Sequence, residues 1–491
     1  MVVPDGNYLA ATLTIATDGQ KLLGIGGRIS ALPATLHSDD FMLVNVEANF
    51  VEVAGLYLDN PTLQNRKEAG WPDSINTGIA IRGFQVNVHH NTVRRFRDGI
   101  RVTSSAGFFS GFEHAHNIIA NNIVRELLGS GSGSDEKIGN QGESAGDGIT
   151  NRGAIAIITG NIVHAREGAD CRIGIHTESL GDRYDPNNPG TLYPDLGTVI
   201  SNNFVLGHDL DARNGRFRRG IVSEGVENTS IVGNVIFGGG WWAIAVITGG
   251  SDPLGRGNFS ILGNNISWRR PAVDLAGDEW NPARAGIAVF ANTRGRLANV
   301  SIADNNVEVL GEIATGIRVD AFTLTTFRGQ IQITGNSVLQ QGGVFTNSLF
   351  NASEPGGQEL ILANNTFKGH IVGGQALVRV QNTIEHLVID GNIVVFEGGP
   401  TGVFKCMEIS GGSGVVTGNH FDGANDGVHL INMPRVVFSG NIVENCANNG
   451  VNMFGTVSAI LSNNIIEAVG NQHITNYTSS PIKLDENNVK S

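Results

Sequence analysis

The stretch AIAIITGNIV, residues 154–163, alternates apolar side chains, breaks at Thr-Gly-Asn and resumes on β-branched residues. Apolar alternation at period two reads as a strand and Gly-Asn as a tight corner, so the stretch is strand, bend, strand rather than helix. The corner phrase recurs as HHNTV, ANNIV, SNNFV, VGNVI, LGNNIS, DNNVEV, TGNSV, ANNTF, DGNIV, TGNHF, SGNIV and SNNII. Its marker residues are Asn91, Asn122, Asn161, Asn203, Asn234, Asn265, Asn306, Asn336, Asn365, Asn392, Asn419, Asn441 and Asn464. Their spacings run 31, 39, 42, 31, 31, 41, 30, 29, 27, 27, 22 and 23 residues, settling near a minimum.

A second alternating phrase follows each corner: DGIRV, IGIHT, RGIVS, AGIAV, TGIRV, DGVHL and NGVNM. Two strands and a corner in about 22 residues make one turn of a β-solenoid. Such a unit cannot bury its own apolar face, so coils must stack, each on its neighbours. Asn suits the corner because it tolerates left-handed backbone angles and because its amide can bond to peptide groups or to the next Asn. Asn-x-Ser/Thr triplets such as the one at Asn265 then belong to the ladder and are not read as glycosylation sites.

The repeats, over roughly residues 75 to 478, resemble the right-handed parallel β-helix proteins of the pectin-lyase-like superfamily. The opening VVPDGNYLAATLTIATDGQKLLGIGG, residues 2–27, is similar to the first coils of that family, where a Pro-x-Gly-x-Tyr phrase leads into the strands. The resemblance implies an all-β, single-stranded right-handed parallel β-helix of about 13 or more coils. Residues 1–74 are expected as its opening coils, 75–478 as its main body and 479–491 as a tail. Family members often carry a helical cap ahead of that phrase, so its lack here implies a trimmed protein or another module over the open end. The fold hosts hydrolases, lyases, epimerases and non-catalytic fibres, so function must be argued from the site.

Composition narrows the classes. The chain has 491 residues, 67 Gly, 14 Pro and a formal charge of −13. Non-specific nucleic-acid binding needs a basic footprint and is not expected. No apolar run reaches membrane-span length, and MVVPDGNYLAA lacks the pattern of a secretory signal. Cys171, Cys406 and Cys446 are far apart with no CxxC spacing, which supports neither a disulfide framework nor a thiolate metal site.

Extra residues locate the working part of the coil. The long spacings lie between Asn91 and Asn306, with inserts mainly at 94–330 on both sides of the Gly-Ile strand, where they would wall a groove. Aligning the Gly-Ile pairs gives a first outward column of Arg101, Thr150, His176, Val222, Ala245, Ala288 and Arg318. The second outward column is Thr103, Arg152, Glu178, Glu224, Ile247, Phe290 and Asp320. Glu178 and Glu224 become neighbours on strands about 4.8 Å apart, with Arg152 beneath and His176 alongside. Stacked like charges should raise one carboxyl's pKa, leaving it protonated near neutrality. A protonated acid beside an ionised base or nucleophile is what glycoside hydrolysis needs. The competing reading makes each Glu a solvated partner of an Arg such as Arg152 or Arg219.

Tyr184, Trp241, Trp242, Trp268 and Trp280 lie in or beside the insert-rich coils, where flat rings could face sugars; core packing competes for each of them, and the polar residues around Trp242 and Trp280 favour those two as sugar platforms. ARNGRFRRG, residues 212–220, with Arg218 and Arg219, and RRFRDGIR, residues 94–101, are basic islands able to fork onto carboxylates or sulfates. Asp320 is a further candidate for sugar hydroxyls. His89-His90 and the His pair of HAH, residues 114–116, have no third metal ligand in view. No cofactor is expected; calcium on Asp182, Asp185 and Asp195 is the one cation the loops could hold. GSGSGSDEK, residues 129–137, reads as a flexible loop.

The expectation is a polysaccharide-degrading enzyme, a glycoside hydrolase before a lyase, with Glu178, Glu224, His176 and Arg152 as its chemical residues. In the lyase alternative, His176 and Arg152 remove the proton beside a uronate carboxylate. A non-catalytic fibre or adhesin is the rival from another class, though it has less reason for long inserts on adjacent coils. The Asp-Pro-His-Glu phrase of the mannuronate epimerases is missing. The capless start and the compact C-terminal taper resemble bacteriophage tailspike depolymerases. That resemblance implies an extracellular or virion-associated homotrimer, with a polysaccharide substrate, no nucleic acid and no membrane insertion.

Overall fold

In the computed structural model the residues described are 1–32, 41–61, 76–103, 116–129, 146–152, 155–178, 197–207, 216–226, 228–248, 258–269, 285–291, 299–310, 315–321, 329–341, 348–353, 359–371, 376–381, 386–398, 404–478, 482–484 and 489–490. They form two compact units, Met1–Asp252 with Pro271–Pro282, and Pro253–Arg270 with Ala283–Ser491. Each unit is a parallel β-helix, as the repeat implies.

Each coil carries three strands, one more than the two phrases suggest. In the coil at Asn203 they are the strand before the corner, Thr198–Ser201, the short strand after it, Phe204–Leu206, and the Gly-Ile strand, Arg216–Glu224. The middle strand is only three residues long there, too short to show its own alternation. Three inward columns fill the first unit. Val88, Ile119, Ile158, Ile200 and Ile231 stack before the corner. Val93, Val124, Val163, Val205 and Ile236 stack after it. Ile79, Ile100, Ile149, Ile175, Ile221 and Ile244 stack on the Gly-Ile strands. All are buried, and each branched side chain taken from water contributes about 1.5–3 kcal/mol.

The Gly of the Gly-Ile phrase is a close-approach residue. A Cβ on Gly148 would lie 2.1 Å from Val163 Cγ1 and 2.5 Å from the Gly174 carbonyl oxygen. No side chain fits where the middle strand of the next coil turns into the Gly-Ile strand.

The Asn column is a buried hydrogen-bond ladder. In the first unit the amides of Asn91, Asn122, Asn161 and Asn203 each donate to the next Oδ1 at 3.0 Å, ending on Asn234. That oxygen also accepts the preceding Asn's backbone N–H, and the second amide hydrogen reaches a carbonyl, as from Asn122 to Val88 at 2.9 Å. The second unit repeats the ladder through Asn264, Asn305, Asn336, Asn365, Asn392, Asn419, Asn441 and Asn464. Two markers are thereby corrected: Asn264 and Asn305, not Asn265 and Asn306, occupy the ladder. The corner also divides its labour. Left-handed backbone falls on the preceding residue, such as Asn121 (φ 55°), Gly160 (φ 66°), Asn202 (φ 55°) or Asp304 (φ 56°), while the ladder Asn makes the bonds.

Candidate active site

The register of the Gly-Ile strands in the first unit is the one the sequence implies. Arg101, Thr150, His176, Val222 and Ala245 form one column; Thr103, Arg152, Glu178, Glu224 and Ile247 form the next. His176 and Glu178 end the strand Ile162–Glu178, and Glu224 ends the neighbouring strand Arg216–Glu224. Alternation sends Ile175 inward and the two polar residues outward.

His176 is buried, yet half of its polar capacity is unspent. Its Nδ1 lies 3.3 Å from Asp147 Oδ2 and 3.1 Å from Arg172 Nη2. Its Nε2 lies 3.8 Å from Glu224 Oε2, beyond hydrogen-bond reach, and has no hydrogen-bond partner among the described residues. Glu224 is the open end of this line, with 42% of its side chain exposed. Its carboxyl is held below the ordinary glutamate range, chiefly by His176, with Arg219 and Arg172 adding attraction against the opposing effect of burial. The like-charge effect expected from Glu178 is therefore not what governs Glu224: His176 first, then Arg219 and Arg172, lower it. Glu178 is ion-paired with Arg152, whose Nε lies 2.8 Å from its carboxylate. The alternative arginine pairing thus describes Glu178, and the protonated carboxyl expected of the stacked pair is not found on Glu224.

Sequence reasoning missed the carboxylates behind this column. Asp98 and Asp147 stand immediately before the Gly of DGIRV and DGITN, and both are buried. Arg172 donates from Nε to Asp147 Oδ1 at 2.8 Å and makes a second, shorter bond to Oδ2, while Thr150 Oγ1 donates to Oδ2 at 2.9 Å. Burial would raise Asp147, but Arg172 and His176 overcome it and hold the carboxyl far below the usual range. Asp98 accepts the Asp147 backbone N–H at 2.9 Å; burial first, then the Asp147 charge, pushes it up. The missed signal is positional. The residue before the Gly, or its register equivalent where Cys406 or His473 stands in place of the Gly, reaches the outward residue three places on, as in Asp147 to Thr150, Lys405 to Glu408 (2.6 Å), Asp426 to His429 (2.9 Å) and Gln472 to Thr475 (2.8 Å).

The other candidates fall elsewhere. Trp242 is not an open ring face. It is buried, and the Arg219 guanidinium stands 4.5 Å from the Trp241 ring centroid and 5.2 Å from that of Trp242. Arg219 serves there as a cap on two indoles, while the Arg218 carbonyl accepts the Trp241 backbone N–H at 2.6 Å. Trp268 is core. Asp320, in the second unit, is buried against Arg318 and Ser353, which both donate to it; burial nevertheless raises its carboxyl. His89 Nε2 is 3.1 Å from Glu52 and its Nδ1 is 2.8 Å from His90. Tyr184, Trp280, Asp182, Asp185, Asp195, His114 and nearly all of the 129–137 loop lie outside the described residues, as do most of the inserts expected to wall the groove.

No protein-family model matches the chain, and no curated protein matches it in sequence. Among solved structures it is similar to the A-module of the mannuronan C-5 epimerase AlgE6 of Azotobacter vinelandii, at 15% identity and a TM-score of 0.37, over 100% of this chain and 90% of that one. It is also similar to the Streptococcus pneumoniae surface protein and adhesin PfbA, at 12% identity and a TM-score of 0.28, over 98% and 91%. A hyperthermoactive exopolygalacturonase of Thermotoga maritima matches at 11% identity and a TM-score of 0.22, over 99% and 83%. At these scores the likenesses carry no weight on activity. The structures they name are right-handed parallel β-helices of the pectin-lyase-like kind, and the parallel β-helix of this chain rests on its own ladders and columns.

Proposed function

We propose that this chain is a polysaccharide-cleaving enzyme whose chemistry is centred on Glu224. The observation that carries the reading is the line Asp147, His176, Glu224: a ring anchored at Nδ1 to a buried carboxylate, with an unspent Nε2 facing an exposed carboxylate 3.8 Å away. A carboxylate held ionised at the open end of such a line is suited to act as base or nucleophile. In the hydrolytic reading Glu224 fills that role, while Glu178 on the adjacent strand exchanges its Arg152 partner for a proton from solvent as substrate binds and gives that proton to the leaving oxygen. His176 orients Glu224 and exchanges protons with it.

β-Elimination is the second reading, favoured by one observation: the guanidinium groups of Arg172 and Arg219 act on Glu224. Cations beside a base would neutralise a uronate carboxylate while its neighbouring proton is removed. Exposed apolar residues flank the corner, Ile157 and Val199 before it and Ile123, Ile162 and Phe204 after it, and they give further copies of the chain a face to pack on, as a spike-like homotrimer needs.

The test is a panel of neutral and acidic polysaccharides scored for binding, new reducing ends and near-ultraviolet absorbance of unsaturated products. Reducing ends without that absorbance support hydrolysis, and reducing ends with it support elimination. Binding without chain shortening would replace the enzyme by a glycan-binding fibre. Glu178→Gln rescued by a substrate with an activated leaving group, beside an unrescued Glu224→Gln, supports the acid and base roles as divided here.

A further inference from the structure

A second polar cluster lies on other strands of the first unit. It is built from Gly27–Ala31, Tyr57–Asp59, Thr92–Arg94 and Ile123–Gly129. Arg28 registers with Tyr57, and Arg94 registers with both Asp59 and Arg125. Asp59 is fully buried and takes Arg28 and both N–H groups of one edge of Arg95. Glu126 takes Arg94 at 2.7 Å. Arg125 is left with no carboxylate among the described residues, although it stands directly opposite another arginine. Like charges facing each other across a ladder destabilise it, and here no compensating anion stands among the described residues.

Tyr57 focuses the imbalance. Its hydroxyl oxygen accepts from Arg94 Nη1 at 3.3 Å and Arg125 Nη2 at 3.4 Å, and the Arg28 guanidinium stands 5.3 Å from its ring centroid. The phenol hydrogen has no acceptor among the described residues. A phenol O–H and a guanidinium without a carboxylate partner then meet at one place, beside Arg94, which Glu126 pairs, and Arg28, which shares Asp59 with Arg95. Oxyanions on sugars are recognised by this kind of donor set. The two guanidinium groups that hydrogen-bond to the phenol also lower its pKa, against the effect of burial.

We propose that Tyr57 and Arg125 form an oxyanion-binding subsite, apart from the Glu224 column, that holds the carboxylate or sulfate group of an acidic glycan. The ligand's identity rests on the glycan reading above; the subsite itself does not, because inorganic sulfate probes it directly.

Calorimetric titration of the full chain in chloride buffer tests it, using inorganic sulfate, a polyuronate oligosaccharide, a sulfated oligosaccharide and a neutral glucan oligosaccharide. Sulfate and at least one acidic oligosaccharide should bind and the neutral one should not; which acidic one binds names the group. Arg125→Gln and Tyr57→Phe should each weaken binding about tenfold or more, the loss expected for a hydrogen bond to a charged group. Glu224→Gln should bind as the native protein does while losing cleavage, so failure of this subsite and failure of the proposed chemistry are separable. Tyr57→Phe keeps the ring beneath Arg28 and serves if Arg125→Gln does not fold. Undiminished binding in Tyr57→Phe, or equal binding of the neutral oligosaccharide, would overturn the proposal.

Discussion

His176 and Glu224 stand on adjacent strands with Nε2 and Oε2 3.8 Å apart, and the same imidazole is fixed through Nδ1 to the buried Asp147. A superficially similar dyad in the second unit, Asp426 and His429, is closed. There Nε2 lies 2.9 Å from Asp426 and 3.0 Å from Asn452, so no ring nitrogen faces an exposed acid through that bond set. The open geometry belongs to His176. Glu224→Gln should therefore lower kcat about 100-fold or more, the range for losing a positioned acid or base. The melting temperature should barely move because the side chain is substantially exposed. An unchanged kcat would remove Glu224 from the chemistry.

The acid limb of the activity profile carries the same relationship. Glu224 is held low chiefly by its interaction with His176, so a reaction that needs it ionised should persist at pH values below the ordinary glutamate range and fail only as pH drops through the depressed value. Replacing His176 by Gln removes the main cause of the depression. The acid limb should then move to higher pH, which kcat against pH on both proteins would detect; an unmoved limb would assign it to another group.

Asp98 and Asp147 face each other on neighbouring coils and respond oppositely to the same burial. Asp147 has a depressed pKa, so its contribution to stability is present above its unfolded value and is lost as pH falls through the folded one. Asp98 has a raised pKa, so its contribution is present below the unfolded value and is lost as pH rises through the folded one. Asp147→Asn should cost about 3–5 kcal/mol at neutral pH by leaving Arg172 facing a neutral amide in a buried site. Asp98→Asn keeps an oxygen for the Asp147 backbone N–H and should be neutral or stabilising above the raised pKa. Urea unfolding of the two variants at neutral pH should show a large loss for Asp147→Asn and little or none for Asp98→Asn.

The three thiols should be silent in the native protein. Burial pushes the Cys446 thiol up to about 12, with Asp426 adding repulsion, and raises Cys406 well above its ordinary value. Cys171 is buried as well. The thiolate is the reactive form, so a thiol reagent should label none of the three at neutral pH and all of them in denaturant. Labelling of native Cys406 would show that the second unit opens locally.

The columns beginning at Arg101 and Thr103 were legible because Gly-Ile repeats fix both register and parity. Residues whose partners obey that parity, such as Glu178 and Glu224, were placed correctly side by side. Their electrostatics were not legible, because the dominant charges come from off the column. Arg172 sits four residues before His176, and Asp147 precedes the Gly where the alternation breaks. Tyr57 was invisible for another reason. Its strand is three residues long, and the arginines that hydrogen-bond to it, Arg94 and Arg125, come from segments more than 30 residues away, so no local pattern marks it.

Asn161 shows what the ladder itself is worth. Its amide donates to Asn203 Oδ1 at 3.0 Å and to the Ile119 carbonyl at 2.9 Å, its Oδ1 accepts from Asn122, and its backbone N–H reaches Asn203. Alanine would leave the Asn122 donors, one in the backbone and one in the amide, without their acceptor in a site that excludes water. Each orphaned buried group costs about 1–3 kcal/mol, so Asn161→Ala should lose roughly 3 kcal/mol or more. Asn202, the residue before Asn203 at the corner of the next coil, has a left-handed backbone and points its amide oxygen toward Gly233. Asn202→Gly should cost little, since glycine takes that φ without strain. Chemical unfolding of the two variants side by side would test the division of labour, and equal losses would show that backbone angle and ladder bonding are not separable at these adjacent corners.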